Sequence, residues 1–162
     1  AKRGRGFDME ILYNDPVRQP EAEAELGATW VSLDELYARS DFISVNCALT
    51  ESSRHMIGRE AIAKMKNTAV IVVSARGGIV DEAALYEALT TGKLGAAGLD
   101  VFEEEPVDPK APLLQLENVA LSPHLGTSVQ ETRVKMAVTA AEDVIRVLRD
   151  EAPAYPLFKL SA

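Results

Sequence analysis

Short apolar runs alternate along the chain with stretches in which apolar residues recur every three or four positions. The short runs predict β-strands at residues 9–13, 28–31, 42–46, 69–73, 95–99 and 119–121. Several runs are apolar at consecutive positions, which is typical of strands that helices cover on both faces. Because strands and helices alternate, the pattern predicts βαβ units and an α/β fold with a doubly wound parallel sheet.

Three of the predicted helices have recognisable ends or a clear period. Ser32 and Glu35 are spaced as a capping box, in which the serine oxygen and the glutamate carboxylate each bond an otherwise unpaired amide. A second helix begins at Asp81, and Gly92 supplies a left-handed stop. The longest helix is predicted at residues 127–149. The residues on its apolar side are Val134, Ala137, Val138, Ala141, Val144, Ile145 and Leu148.

Composition limits the class of protein. The chain has 162 residues, 47% of them apolar and 26% charged, which fits one folded domain and excludes a disordered or collagen-like chain. A net charge of −8 argues against a nucleic-acid partner. The longest apolar run, residues 69–73, is too short to span a bilayer, so we expect no membrane partner.

The chain has one cysteine, Cys47, which cannot close an internal disulfide, so we expect a cytoplasmic protein. Cys47 has no second cysteine or clustered histidines for metal ligation. From its residue type we expect a buried apolar thiol and no metal site.

Polar side chains follow five of the six predicted strands, at the carboxyl end of each. In an open parallel sheet, ligands bind outside these ends because loops and helix N-termini converge there. We therefore expect the five strand ends to face one crevice. The polar positions are Asn14 and Asp15, Asn46, residues 74–78, Asp100, and residues 122–124.

Asp15 has two interpretations that the residues alone do not separate. It could accept hydrogen bonds from a ribose diol and repel a 2′-phosphate, which favours NAD over NADP. It could equally be a turn aspartate before Pro16. Arg18 lies nearby and keeps NADP possible.

Arg76 follows a predicted strand and precedes Gly77 and Gly78, which allow the backbone to approach a ligand closely. A guanidinium there could clamp a carboxylate with two hydrogen bonds and polarise a neighbouring carbonyl. The alternative is a surface ion pair.

His124 follows a proline in a short loop, and a carboxylate partner could hold it protonated as a general acid. The alternative is an exposed loop histidine. Glu103, Glu104 and Glu105 offer such a partner, although spacing alone selects none of them, and the three together also fit a solvated acidic run. His55 lies in a predicted helical stretch, and we assign no function to it.

Seven stretches occur in a fixed order along the chain: SLDEL at 32–36, CALT at 47–50, ARGG at 75–78, VDEA at 80–83, GLDVF at 98–102, EP at 105–106 and SPHLG at 122–126. In this order and spacing the chain resembles the D-isomer-specific 2-hydroxyacid dehydrogenases, nearest to the glyoxylate/hydroxypyruvate reductase and phosphoglycerate dehydrogenase branches. The resemblance implies a Rossmann-like fold. It also implies an oxidoreductase that transfers a hydride between NAD, or NADP, and a small 2-keto or 2-hydroxy acid such as glyoxylate or hydroxypyruvate.

The resemblance implies roles for individual residues. Arg76 would hold the substrate carboxylate and carbonyl oxygen, His124 would donate the proton, and Glu105 would pair with His124 and keep it protonated. Asp100 would contact the nicotinamide carboxamide and Asp15 the adenosine ribose. The other residues implied to line the cofactor are Cys47, Ala48, Ser74, Ala75 and Gly126, with Arg76 and His124 themselves.

By the same resemblance, residues 1–126 are a partial NAD(P)-binding domain, incomplete at its N-terminal end. Residues 127–162 are a long crossing helix and the start of a return to a substrate domain. The chain contains no Gly-x-Gly-x-x-Gly, so we expect the helix N-terminus that holds the pyrophosphate to lie ahead of Ala1. We expect roughly the C-terminal half of such an enzyme, and the resemblance implies a homodimer.

Two other functions remain open. One is an NAD-sensing binding module, because some relatives of this family act as transcriptional corepressors and keep the same residues. The other is a truncated fragment without activity of its own. Reduction of glyoxylate or hydroxypyruvate would favour the enzyme over both.

Overall fold

The structure is a computed structural model, and it describes residues 1–156. The chain divides into two compact units, Ala1–Pro123 and His124–Ala162. The strands are β1 Leu12–Tyr13, β2 Thr29–Trp30, β3 Phe42–Val45, β4 Val70–Val73, β5 Ala96–Leu99 and β6 Val119–Leu121. The helices are α1 Lys2–Arg5, α2 Pro20–Leu26, α3 Leu33–Arg39, α4 Arg59–Lys64, α5 Glu82–Thr90 and α6 Gln130–Leu148, with a short 3-10 helix at Pro112–Gln115.

All six predicted strands are found, and every pair of neighbouring strands is parallel. Most strand bounds agree with the predicted ones to within a residue. The first strand is shorter than predicted, because only Leu12 and Tyr13 pair with β2. The alternation of parallel strands and helices confirms the predicted α/β class.

Hydrogen bonding divides the strands into two sheets, where the sequence pattern predicted one. β1 pairs with β2, and β3, β4, β5 and β6 form a four-stranded sheet in that order. Residues 8–12, which lead into β1, and residues 39–42, which lead into β3, line a cleft of about 450 Å³. Asp15 therefore follows a strand of the smaller sheet, whereas the other four polar strand ends belong to the larger one, and the single crevice stays a prediction.

The core lies on one face of the four-stranded sheet. Ile43 and Ile71 are buried there, in one cluster with residues of α3, α4 and α5. On the opposite face, Phe42 is 62% exposed and Val72 is 40% exposed. The prediction of burial on both faces is therefore wrong for β3 and β4 in the part of the chain that the structure describes.

The helix ends largely follow the sequence signals. Ser32 Oγ accepts a hydrogen bond from the Glu35 N–H at 3.2 Å, as predicted. The Glu35 carboxylate does not complete the capping box, because it pairs with Arg39 at 2.6 Å. Asp81 caps α5, and Gly92 follows that helix with a left-handed φ of 71°.

The second unit begins at His124 and contains α6. This helix confirms the predicted long helix, starting and ending slightly inside the predicted bounds. Its apolar side chains are exposed, Val144 at 59% and Leu148 at 80%. The end of the predicted 127–162 segment, residues 157–162, lies outside the described residues. Up to residue 156, no helix combines the length and apolar character needed to cross a bilayer.

Candidate active site

The loops that follow β4 and β5 are in direct backbone contact. We call residues 74–78 and 100–106 the carboxyl-edge loops, because β4 and β5 are adjacent and parallel and their carboxyl ends meet at one edge. A Cβ added to Gly77 would lie 1.7 Å from the carbonyl oxygen of Phe102 and 2.7 Å from the nitrogen of Glu103. Only glycine permits this approach. The contact sets the spacing between one loop, which carries the predicted arginine, and the other, which carries the predicted glutamate.

Arg76 is exposed at this edge. Its Nη1 donates a hydrogen bond to the carbonyl oxygen of Ala75 at 2.7 Å, which turns the guanidinium back over its own loop. Within residues 1–156 no ion pair of Arg76 with a carboxylate is found. This geometry disfavours the surface ion pair and leaves the guanidinium accessible to a small anion.

The acidic run does not behave as a uniformly solvated stretch. Glu105 Oε1 accepts a hydrogen bond from the Phe102 N–H at 3.0 Å, which folds its carboxylate back over the loop. Glu103 turns the other way, and its Oε1 accepts from the Glu82 N–H at the start of α5 at 2.9 Å. The Glu105 carboxylate is therefore bonded to its own loop, whereas the Glu103 carboxylate is bonded to the start of α5.

Asp100 follows β5 and is half-buried. Its Oδ1 accepts a hydrogen bond from the Ser122 hydroxyl, at the end of the neighbouring strand β6. The Ser122 N–H donates to the Leu99 carbonyl oxygen at 2.9 Å, so the serine is fixed by its backbone as well. The Asp100 carboxylate is thereby held at the edge of the four-stranded sheet.

His124 is the first residue of the second unit. Its φ is 54°, in the left-handed region that residues other than glycine seldom adopt. Such backbone conformations are concentrated at functional sites. Gly126, which was predicted to line the cofactor, follows in the same unit. The role of His124 as a general acid stays a prediction.

The β1 loop, residues 14–19, gives Asp15 the geometry of a turn. Asp15 Oδ1 accepts a hydrogen bond from the Val17 N–H at 2.9 Å, and its carbonyl oxygen accepts from Trp30 Nε1 at 3.1 Å. The turn interpretation is therefore confirmed. It does not exclude the ribose interpretation, because the side chain is exposed at the carboxyl end of β1.

Arg18 is held by a carboxylate within the same region. Its Nε and Nη2 donate to Glu23 Oε1 and Oε2 at 3.0 and 2.6 Å, and the Tyr13 hydroxyl donates to Glu23 Oε1 at 2.5 Å. The hydrogen bond from Arg18, followed by that from Tyr13, lowers the pKa of Glu23. The guanidinium that kept NADP possible is thus paired with a carboxylate.

The remaining predicted cofactor-lining residues lie at the ends of β3 and β4. Cys47, Ala48 and Ser74 are exposed, and Ala75 is half-buried. The prediction of a buried Cys47 is wrong, because the residue lies beyond the end of β3, outside the core cluster. Within the described part of the chain, no group of three His, Cys, Asp or Glu residues is placed to hold a metal ion.

The described residues fit the two ends of a dinucleotide. Asp15 presents an exposed carboxylate, an acceptor of the kind that a ribose diol requires, and the Asp100 carboxylate, held by the Ser122 hydroxyl, is an acceptor of the kind that a carboxamide N–H requires. Ala48 and Ser74, which follow β3 and β4, are small and exposed. This fit concerns the adenosine and nicotinamide ends alone, because the chain contains no glycine-rich phosphate loop.

His55 is a residue of this region that the sequence pattern missed. It lies in a turn rather than in a helix, with a left-handed φ of 51°. Its Nε2 lies 3.2 Å from Glu103 Oε1, and its N–H donates to the Gly78 carbonyl oxygen at 2.8 Å. Both partners are distant in sequence, so no local pattern signals these contacts.

Comparison with known proteins identifies relatives of this chain. Residues 1–126 match the family model described as D-isomer specific 2-hydroxyacid dehydrogenase, NAD binding domain. The chain is 49% identical over 153 residues to a glyoxylate reductase of Korarchaeum cryptofilum, covering 94% of this chain and 46% of that protein.

Comparison with solved structures also finds a glyoxylate reductase and a related dehydrogenase. The chain is similar to a glyoxylate reductase from Paecilomyes thermophila, with a TM-score of 0.82 and 43% identity over 90% of this chain and 44% of that one. It is also similar to a D-lactate dehydrogenase with NAD+ from Lactobacillus jensenii, with a TM-score of 0.85 and 29% identity over 96% of this chain and 50% of that one. These likenesses confirm the Rossmann-like fold. The chain spans about half the length of the relatives it matches.

Proposed function

The chain belongs to the D-isomer-specific 2-hydroxyacid dehydrogenase family, and from that premise we propose that the protein containing it reduces a small 2-keto acid with NADH. Glyoxylate and hydroxypyruvate are the proposed substrates, because curated relatives are named for them. The observation that carries the proposal is the backbone contact of Gly77 with Phe102 and Glu103. It supports a joint site for Arg76 and Glu105.

Three residues perform the proposed chemistry. Arg76 holds the substrate carboxylate and draws electron density from the carbonyl oxygen, since a guanidinium can donate two parallel hydrogen bonds. The bound dinucleotide supplies the hydride that the carbonyl carbon receives. His124 donates a proton to the carbonyl oxygen, and Glu105 is the carboxylate proposed to pair with His124. The accessible guanidinium of Arg76 and the folded-back carboxylate of Glu105 support these assignments.

The proposed cofactor is NAD rather than NADP. Asp15 contacts the adenosine ribose, and Asp100 contacts the nicotinamide carboxamide. The pairing of Arg18 with Glu23 supports this choice, because it leaves the β1 loop without an unpaired cation for a 2′-phosphate. The other residues proposed to line the cofactor are Cys47, Ala48, Ser74, Ala75 and Gly126, with Arg76 and His124.

The proposal also covers the organisation of the longer protein. Residues 1–126 are part of its cofactor-binding domain, and residues 127–162 are a crossing segment that returns toward a substrate domain. The protein is a cytoplasmic homodimer. The exposed apolar side chains of α6, such as Val144 and Leu148, support their burial in such an assembly.

Reduction of glyoxylate and hydroxypyruvate by the full-length protein with NADH tests the proposal directly. We expect turnover by the wild type. We expect the His124→Gln variant to lose about 10²- to 10⁴-fold in kcat with an almost unchanged Kd for NADH. Negligible wild-type turnover together with NADH-dependent binding of a peptide would favour a corepressor-like binding module. Unchanged turnover in His124→Gln would remove that histidine from the mechanism.

A further inference from the structure

His55 is fixed by its backbone against the strand-like segment that follows Arg76. Its N–H donates to the Gly78 carbonyl oxygen at 2.8 Å. Two residues later, the Ile57 N–H donates to the Ile79 carbonyl oxygen at 3.2 Å, and Ile57 forms a parallel bridge with Val80. The turn that carries His55 is therefore attached to the loop that carries the proposed substrate-binding arginine.

The side chain of His55 reaches the other carboxyl-edge loop. Its Nε2 lies 3.2 Å from Glu103 Oε1, and the two side chains are 42% and 33% exposed. The same Glu103 oxygen accepts from the Glu82 N–H at 2.9 Å, and the Glu103 N–H donates to Glu82 Oε1 at 2.6 Å. Glu103 is thus held by α5 and by His55 at the same time.

We propose that His55 is a positioning residue that holds the Arg76 loop and the Glu105 loop at a fixed spacing. One residue makes a backbone hydrogen bond to Gly78, two positions after Arg76, and a side-chain contact to Glu103, two positions before Glu105. The backbone at His55 is left-handed, with a φ of 51°. This inference rests on the proposed function of Arg76 and Glu105.

Loss of the His55 side chain is expected to change the placement of the substrate more than the free energy of unfolding. A polar contact this exposed contributes little to the free energy of unfolding. Hydride transfer, by contrast, depends steeply on the placement of the substrate, and misplacement by an ångström costs about 100-fold in rate. Loss of the His55 side chain should therefore lower turnover without lowering thermal stability in proportion.

The test uses His55→Gly in the full-length protein, because glycine keeps the left-handed backbone and its N–H while removing the imidazole. We expect kcat/KM for glyoxylate to fall about 10-fold or more, with the Kd for NADH within about 2-fold of the wild type. His55→Gln, whose amide can donate to Glu103, should recover most of the loss. The matched control is Arg59→Gln, which breaks an exposed ion pair with Glu87 and should leave kinetics unchanged.

The outcomes separate this inference from the proposed function. No wild-type turnover overturns the proposed function, whereas wild-type turnover with unchanged His55→Gly kinetics overturns the positioning role alone. Equal losses in His55→Gly and His55→Gln also overturn it, because they show that the polar contact with Glu103 is not what matters. If His55→Gly does not fold, Glu103→Ala removes the same contact from the other side, and unchanged kcat/KM in that variant contradicts the proposal.

Discussion

The carboxyl-edge loops and the β1 loop both follow parallel strands, but different interactions hold them. The carboxyl-edge loops meet through their backbones at Gly77, where no side-chain atom could be inserted. The β1 loop depends on side chains, chiefly the exposed Arg18 and its partner Glu23. Backbone contact fixes geometry, whereas a surface ion pair can rearrange. We infer that the reacting groups require fixed spacing, while cofactor preference depends on replaceable charges.

The largest effect is expected where the backbone contact is broken. Gly77→Ala places a Cβ 1.7 Å from the Phe102 carbonyl oxygen and forces the carboxyl-edge loops apart. We expect kcat/KM for glyoxylate in the full-length protein to fall by at least about 100-fold, measured by NADH oxidation.

Gly98→Ala is the matched control for that substitution. The added Cβ would lie 3.7 Å from Val72 Cγ2, which is an ordinary contact distance. We expect kcat/KM to stay within about 2-fold of the wild type, in line with volume changes that a site accommodates. Wild-type kinetics from a folded Gly77→Ala variant would contradict the importance of the backbone contact.

Replacement of Arg76 tests the chemistry that the fixed loops support. Lysine keeps the positive charge but cannot make two parallel hydrogen bonds to a carboxylate. We expect Arg76→Lys to lower kcat/KM for the keto acid about 100-fold, with a nearly unchanged Kd for NADH from fluorescence titration. Equal losses of keto-acid and NADH binding would instead assign Arg76 to the cofactor.

A substitution that breaks the ion pair of the β1 loop should change the preference between NADH and NADPH rather than abolish activity. Glu23→Gln removes the carboxylate that pairs with Arg18. We expect the ratio of NADPH to NADH affinity to rise about 10-fold, as a released guanidinium binds the 2′-phosphate. The gain should be absent when Arg18→Ala is combined with it. Glu35→Gln, which breaks an ion pair of Arg39 instead, is the control and should leave the ratio unchanged.

The smallest expected effect is on thermal stability, and it concerns Glu82 in the first turn of α5. Burial, together with the Glu103 carboxylate, raises the pKa of Glu82. Because the folded state binds this proton more tightly than the unfolded state, the free energy of unfolding falls as pH rises through the folded-state pKa. Glu82→Gln removes this cost, so its Tm should exceed that of the wild type by about 1–2 °C at pH 8.

The same thermal measurement at low pH provides the check. Below about pH 3.5 the wild-type carboxyl is protonated in both states, so the difference attributed to ionisation should vanish. A variant that is less stable than the wild type at pH 8 would show that the Glu82 charge stabilises the fold.

Local sequence pattern predicted the strands well, because a buried parallel strand requires a short apolar run. It could not predict which strands pair, and so it missed the separation of β1 and β2 from the larger sheet. Likewise, Gly77 and Gly78 indicated a close approach, but the partner at Gly77 is the backbone of another loop rather than a ligand.

Residue type alone was a poor guide to the surroundings of a side chain where contacts distant in sequence determine them. Cys47 resembles a core residue, yet its place beyond the end of β3 leaves it exposed. His55 has no local pattern that marks it, because Gly78 and Glu103 reach it from other parts of the chain. The assignment of Arg76 and Glu105 came from a resemblance across several motifs, and not from their spacing.

A crystal structure of the full-length protein with NADH and oxamate, a keto-acid analogue that is not reduced, tests the central claim most directly. We expect two hydrogen bonds of about 2.8 Å from the Arg76 guanidinium to the oxamate carboxylate. His124 should lie beside the oxamate carbonyl oxygen and Glu105 beside His124. Oxamate bound away from Arg76, or Glu105 and His124 directed to different surfaces, would contradict the claim.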